Sequence, residues 1–260
     1  MVRIDSPTNP RVRDAVRALR DGHLVAVEGG RAITEALADG VRPVFVFHEP
    51  GALDEALLER ISAAGAEVVE ASARVMTRLS DLPSSRGVVA LAAPPRSRLT
   101  DLPSPEGSVT LLLDSVQDPT NVGAILRSAE AFGAGAVILT RGTASPFSAK
   151  ALRASAGSVF RVPLAVDVAA ADALTWARSA GAKVVGADAK GGIDPLAVRQ
   201  TSRLLLVIGS EGHGLSAEVS DALDVRVTIP LRGRVESLNA AVAAAVLLYA
   251  LSPKTSASNR

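Results

Sequence analysis

The chain has no cysteine among its 260 residues, three scattered histidines (His23, His48, His213), four lysines and only 3% aromatic residues. Each shortage closes off a class of protein. Without cysteine there is no disulfide scaffold, no thiolate ligation of zinc or iron–sulfur clusters, and no cysteine nucleophile. The histidines share no ligand-like spacing, so no metal site is expected. Few aromatics leave little for base recognition by stacked rings. No uninterrupted apolar run approaches the roughly 18 residues that suggest a membrane span. The nearest stretch, 240–251, is alanine-rich and has the length of a core helix. The N-terminus, Met1-Val-Arg-Ile-Asp-Ser-Pro, lacks an apolar signal region, so a cytoplasmic protein is expected. An excess of either charge is missing too: 28 Lys+Arg face 27 Asp+Glu, a net charge of +1.

What is present is arginine and small apolar residues. Only Lys150, Lys183, Lys190 and Lys254 are lysines, so nearly every cation is a planar, bidentate guanidinium suited to phosphate. The length is enough for a large core without covalent staples. Pro94-Pro-Arg-Ser-Arg-Leu-Thr-Asp-Leu-Pro-Ser-Pro-Glu-Gly107 carries four prolines and little periodicity, which predicts an N-terminal domain over 1–97, a linker over 98–107 and a C-terminal domain over 108–260. The first part holds 12 basic and 13 acidic residues, the remainder 16 and 14. Residues 1–20 are locally basic, with Arg3, Arg11, Arg13, Arg17 and Arg20 against Asp5 and Asp14.

Both parts alternate between strand and helix patterns, which predicts α/β layers. In the first, strands are expected at 24–27, 44–47, 67–70 and 88–92, with helices at 10–19, 30–37, 53–64 and 73–79. In the second, strands are expected at 109–114, 136–139, 183–187, 204–208 and 225–229, with helices at 121–132, 150–155, 169–179, 216–222 and 238–251. The latter is the pattern of a mainly parallel sheet covered on both faces.

Ligands of open α/β sheets sit beyond the carboxyl ends of the strands, so the turns after strands are where chemistry is sought. Three stand out. After Leu111-Leu-Leu-Asp comes a polar turn, then Asn121 and Arg127 at the start of a helix. Asn121 can be read as a plain N-cap and Arg127 as a solvated helix residue. After Leu204-Leu-Leu-Val-Ile comes Gly209-Ser-Glu-Gly-His-Gly214, where a carboxylate sits among glycines that permit close backbone approach. The spacing is neither the dinucleotide fingerprint nor a phosphate loop. After Val227-Thr-Ile-Pro comes Leu231-Arg-Gly-Arg-Val-Glu-Ser-Leu-Asn239, leading into an alanine-rich helix.

Taken in order, N-x-G-x-x-x-R-x-A-x-x-F-G from Asn121, G-S-E-G-x-G from Gly209 and I-P-x-x-G-x-x-x-S-L-N from Ile229 resemble the three motifs of the SpoU (TrmH-type) RNA ribose 2′-O-methyltransferases of the SPOUT superfamily. Lys150-Ala-Leu-Arg-Ala-Ser-Ala-Gly-Ser-Val-Phe-Arg-Val-Pro163 is similar to the family's segment between the first two motifs, and the resemblance spans roughly residues 108–251. The segment Val27-Glu-Gly-Gly-Arg31 with Glu35-Ala-Leu looks like the substrate-binding extension of many members, similar to a ribosomal-protein type RNA-binding fold.

The resemblance implies a parallel sheet whose C-terminal segment threads a loop into a trefoil knot, which general topology rules disfavour. It implies S-adenosyl-L-methionine as cofactor and a homodimer formed through the C-terminal domain, with the final helix facing the partner. It implies an RNA substrate, with 23S ribosomal RNA favoured and transfer RNA the nearer alternative. Carried over by position, Asn121, Arg127, Glu211, Ser237 and Asn239 form the catalytic set. Gly209, Ser210, Glu211, Gly212, Ile229, Leu231, Ser237 and Leu238 hold the cofactor. Arg127 acts either as a base or as an electrostatic stabiliser of the reacting oxygen or a phosphate. A guanidinium is almost always protonated, which favours the second role. One departure stands out: after Ser237-Leu-Asn239 the family commonly shows Val-Ser-Val-Ala, whereas Ala240-Ala-Val-Ala follows here. A catalytically silent RNA-binding knot and an ordinary nucleotide-binding α/β enzyme are the competing readings.

Overall fold

A computed structural model describes residues 2–80, 87–198 and 203–253. The described chain falls into two compact units, one of residues up to 94 with 147–152, the other of 95–146 with 153 onward. In the first unit β1 (Val2–Ile4), α1 (Pro10–Arg20), β2 (Val25–Glu28), α2 (Gly30–Ala38), β3 (Pro43–His48), α3 (Glu55–Ala63), β4 (Glu67–Ala71), α4 (Ala73–Leu79) and β5 (Val88–Ala92) follow one another. Its sheet has the order β1-β4-β3-β5-β2, and only β5 runs against its neighbours. Val12, Ala15, Val75, Met76 and Leu79 from α1 and α4 pack with Phe47, Val69, Val89 and Leu91 of the sheet. The strand β1 was not expected. With three residues at a sheet edge and only Ile4 buried, it has too little periodicity to be seen.

The second unit contains β6 (Val109–Asp114), α5 (Pro119–Ala131), β7 (Ala136–Thr140), α6 (Ala149–Ser155), β8 (Leu164–Val168), α7 (Ala170–Ser179), β9 (Lys183–Ala187), β10 (Leu204–Gly209), α8 (Ala217–Asp221), β11 (Val225–Val227) and α9 (Ala240–Leu251). The first residues of α6 cluster with the other unit. All six strands are parallel, in the order β11-β9-β10-β6-β7-β8. The central strands β6 and β10 read as continuous apolar runs because both faces are covered. Leu112, Ile138, Leu205 and Val207 lie under Ala173, Leu174 and Ala177 of α7 and Val219 of α8. The alternate residues Leu111, Leu113, Leu206 and Ile208 point the other way and are equally buried. α5 and α9 pack on each other and against β7 and β10.

Two expectations change in this unit. β8 is an additional edge strand. Asp167 takes a left-handed φ of 60° there, the pairing with β7 shifts register, and the apolar alternation is blurred. β11 stops at Val227, before the expected 229, because its partner β9 ends opposite at Ala187. Within the proline-rich segment after residue 97, Leu102 is buried and Leu99 packs beside it in the core of the second unit.

Candidate active site

The carboxyl ends of β9, β10 and β11 and one side of α9 enclose a cavity of about 510 Å³. Each wall follows from local sequence. At the end of β10, Ser210 and Gly214 exchange backbone hydrogen bonds of 2.9 and 3.0 Å and close the Gly-Ser-Glu-Gly-His-Gly turn. A Cβ on Gly209 would lie 2.3 Å from the Gly214 carbonyl, so the turn closes only on glycine. Gly214 itself has φ +68°, where side chains are strained. The turn is moored to the sheet by Asp114, the buried last residue of β6, whose carboxylate accepts from the Ser216 N–H at 2.7 Å.

The turn after β6 is held under strain. Ser115 adopts φ 60°, a costly conformation that persists only where the surroundings fix it. Its N–H donates to the Thr140 and Thr143 hydroxyls at 3.0 and 3.1 Å, and those hydroxyls donate to the Leu113 carbonyl. The chain then enters α5 with Asp118 as its N-cap, accepting from the Thr120 N–H at 2.8 Å, and Pro119 in its first turn. Asn121 is therefore not the cap. It lies inside the first turn, 8% exposed, with its side chain committed elsewhere.

That commitment joins the three motif turns. Asn239 caps α9, its Oδ1 accepting from the Ala241 and Val242 N–H groups at 2.9 and 3.3 Å. Its Nδ2 is thereby turned outward and donates to Asn121 Oδ1 at 3.0 Å. Asn121 in turn directs its Nδ2 at the Glu211 carboxylate and donates to Oε1. The free N–H groups of α9 thus set the orientation of both amides, and each amide spends one N–H on the next acceptor toward the Glu211 carboxyl group.

Of the expected residues, Gly209, Ser210, Glu211, Ile229, Leu231, Ser237 and Leu238 line the cavity. Asn121 and Asn239 reach it through Glu211. Gly212 is exposed and outside the wall. Arg127 lies further along α5, its side chain exposed and without a hydrogen bond or ion pair among the described residues. It is not part of the wall.

Sequence reasoning overlooked the loop after β9. Asp188 and Lys190 line the cavity there, and Arg226 of β11 joins them. Arg226 pairs with Asp188 at 3.0 Å and also donates to the Ser220 carbonyl and hydroxyl. The same rule that singled out the other turns, residues just beyond a strand's carboxyl end, marks Asp188. Glu236 and Leu247 complete that side.

A parallel α/β sheet with a cleft beyond β9, β10 and β11, rimmed by three interlocked polar turns, has counterparts among known proteins. Over 96% of each chain it superimposes on an AdoMet-bound rRNA methyltransferase from Sinorhizobium meliloti, with a TM-score of 0.85 and 30% sequence identity. The sequence profile of the SpoU rRNA Methylase family matches residues 108–249, and that of the MRM3-like substrate binding domain matches residues 17–90. An uncharacterized tRNA/rRNA methyltransferase of Mycolicibacterium vanbaalenii is 33% identical across 93% of this chain and 82% of its own. The 23S rRNA (guanosine(2553)-2′-O)-methyltransferase of Bacillus subtilis is 40% identical over 141 residues, 54% of this chain and 56% of that one. The chain belongs to the SpoU methylase family.

Proposed function

We propose that this chain transfers a methyl group from S-adenosyl-L-methionine to a ribose 2′-hydroxyl of RNA, with 23S ribosomal RNA as the substrate. The observation that carries the reading is the Asn239–Asn121–Glu211 chain, which locks the three family motifs together at the mouth of the cavity. The residues present suit the cofactor. The volume of about 510 Å³ falls within the roughly 300–1,000 Å³ usual for small-molecule sites. Its wall combines apolar Ile208, Leu215, Ile229, Leu231 and Leu247, suited to an adenine face, with the carboxylates of Asp188, Glu211 and Glu236, suited to a cation. Gly209, Ser210, Glu211, Ile229, Leu231, Ser237 and Leu238 would hold it, with Gly212 shaping the turn.

When bound, the cofactor supplies an electrophilic methyl carbon on a positive sulfur. The protein's part is alignment and electrostatics. Asn121, Glu211, Ser237 and Asn239 orient the ribose. Arg127, a permanent cation with no internal partner among the described residues, holds a phosphate or stabilises the oxygen as its proton leaves. Residues 1–97 bind the RNA, 98–107 connect, and 108–260 carry the chemistry. The chain works as a homodimer through α9, whose Val242, Val246 and Tyr249 form an exposed apolar stripe at helical spacing. β10 lies between β6 and β9, both earlier in the chain, a strand order that supports the trefoil knot. Among the described residues no helix is long and apolar enough to cross a membrane, and the substrate places the work in the cytoplasm.

The test is transfer of labelled methyl groups to deproteinised 23S rRNA and, in parallel, to total tRNA. A 2′-O-methyl blocks alkaline cleavage at one phosphodiester, so the product maps to a nucleotide. Label in rRNA at an alkali-resistant position is the expected result. Label confined to tRNA would move the substrate, and no transfer with saturable cofactor binding would leave a silent RNA-binding protein.

A further inference from the structure

The first unit is nearly neutral in sequence, yet its two helical layers are not. α1 and α4 together carry Arg11, Arg13, Arg17, Arg20, Arg74 and Arg78 against the single acid Asp14. α2 and α3 together carry Arg31 and Arg60 against Glu35, Glu55 and Glu59. Charge has been sorted to one face of the sheet.

Four of the α1 and α4 arginines are also uncommitted. Arg11 pairs with Glu67 and Arg20 with Asp21. The side chains of Arg13, Arg17, Arg74 and Arg78 are exposed and make no hydrogen bond or ion pair among the described residues. They form two i, i+4 pairs, so each pair lines up along one flank of its helix.

The topology turns those flanks toward each other. α1 and α4 pack side by side on the same sheet face. α1 leads from β1 at one edge to β2 at the other. α4 leads from β4 toward Ser80, whose hydroxyl donates to Glu28 at the end of β2, so both helices run the same way. Arg13 and Arg17 each follow an inward residue, Val12 and Val16, whereas Arg74 and Arg78 each precede one, Val75 and Leu79. These are opposite flanks of two like-directed helices. Arg11, on the other flank of α1, reaches Glu67 at the start of β4. The Arg13–Arg17 flank therefore points to the strand ends, where α4 begins just after Ala71.

We propose that the furrow between α1 and α4, lined by Arg13, Arg17, Arg74 and Arg78, is a phosphate-backbone binding track for the RNA substrate. The proposal rests on the RNA-methylating function and adds the surface that grips the polymer away from the reacting ribose. Guanidinium forks with no internal acid pay no exchange cost on meeting phosphate. Two such pairs side by side match a polymer with a charge at every step better than a single small anion.

The experiment compares the full-length chain with its R13Q/R17Q/R74Q/R78Q variant, a charge-preserving R13K/R17K/R74K/R78K variant, and a charge-loss control, R42Q/R60Q. Filter binding to deproteinised 23S rRNA is measured across salt concentrations, with methyl transfer and cofactor binding alongside. The glutamine variant should lose about three units of the log–log salt slope and at least about tenfold in RNA affinity. It should raise the KM for RNA and leave cofactor affinity unchanged. The lysine variant should keep the slope, and the control should change affinity by less than about twofold. If the glutamine variant binds like the unaltered chain while that chain methylates rRNA, the track is refuted and the function stands. An equal loss in the R42Q/R60Q control would also refute it, as non-specific charge. If the unaltered chain neither binds nor methylates RNA, the functional reading fails and the track with it.

Discussion

Asn121 and Asn239 show how little freedom two side chains need for the site to be specified. Each is satisfied on its oxygen by a donor and spends an N–H on the next group toward the cavity. Removing either member should therefore cost nearly as much as removing both. Asn121→Ala, Asn239→Ala and the double variant are expected to lower methyl transfer by similar factors of about 100 or more, a non-additive cycle. Additive losses in kcat would mean the two amides act independently. Asn239→Ala should in addition lower stability by about 1 kcal/mol, because α9 loses its cap. Arg127 has the opposite character, exposed and unpaired among the described residues. Arg127→Ala should abolish transfer while melting temperature and cofactor affinity stay put. Unaltered turnover would remove it from the mechanism.

At the scale of elements, polar side chains tie the turns to the sheet. Asp224, before β11, accepts from Arg178 of α7 at 2.8 and 2.6 Å and from the Val184 N–H of β9 at 2.7 Å. Burial alone would raise its pKa, but the Arg178 hydrogen bond and the Val184 N–H together outweigh it, and the net shift is downward. A depressed carboxylate contributes stability that is complete above its unfolded pKa, about 4 for aspartate, and is lost as pH falls through the folded value. Asp224→Asn should cost about 1–2 kcal/mol at neutral pH, and the gap in melting temperature should narrow as the pH falls below 4. A gap that persists in acid would point to packing rather than charge. Gly209 makes the complementary point for the backbone. Since a Cβ would collide with the Gly214 carbonyl, Gly209→Ala should open the turn and weaken cofactor binding about tenfold or more, as calorimetry would register.

For the whole molecule, the exposed stripe of Val242, Val246 and Tyr249 belongs to a helix whose other side is core: Ala244, Leu247, Leu248 and Leu251 are buried. A helix apolar on nearly every side asks for a second apolar partner. On the proposed homodimer, Val246→Glu should yield monomers in analytical ultracentrifugation and depress activity with it. A variant that stays dimeric would place the interface elsewhere.

Most elements were legible in the chain because their cause is local. Buried strands such as β6 and β10 are apolar runs ended by turn residues; of the helix starts, α1 lies where expected, capped by Asn9, while α5 begins earlier than expected, after Asp118, and α9 two residues later, after Asn239. The motif turns were legible as a set, since each alone has an ordinary structural reading and only their order resembles the family. What local pattern leaves open is pairing. The edge strands β1 and β8 exist only because a neighbour supplies hydrogen bonds, and β11 ends where β9 does. Asn121 reads as a cap until Asn239 and Glu211, 118 and 90 residues away, arrive beside it. The sorting of arginine onto one face of a neutral unit is likewise invisible to a count of charges. Composition and spacing settled which chemistry the chain can carry. Only the folded chain decided which groups meet, because hydrogen bonds and charge pairs act over a few ångströms of space and take no account of distance along the sequence.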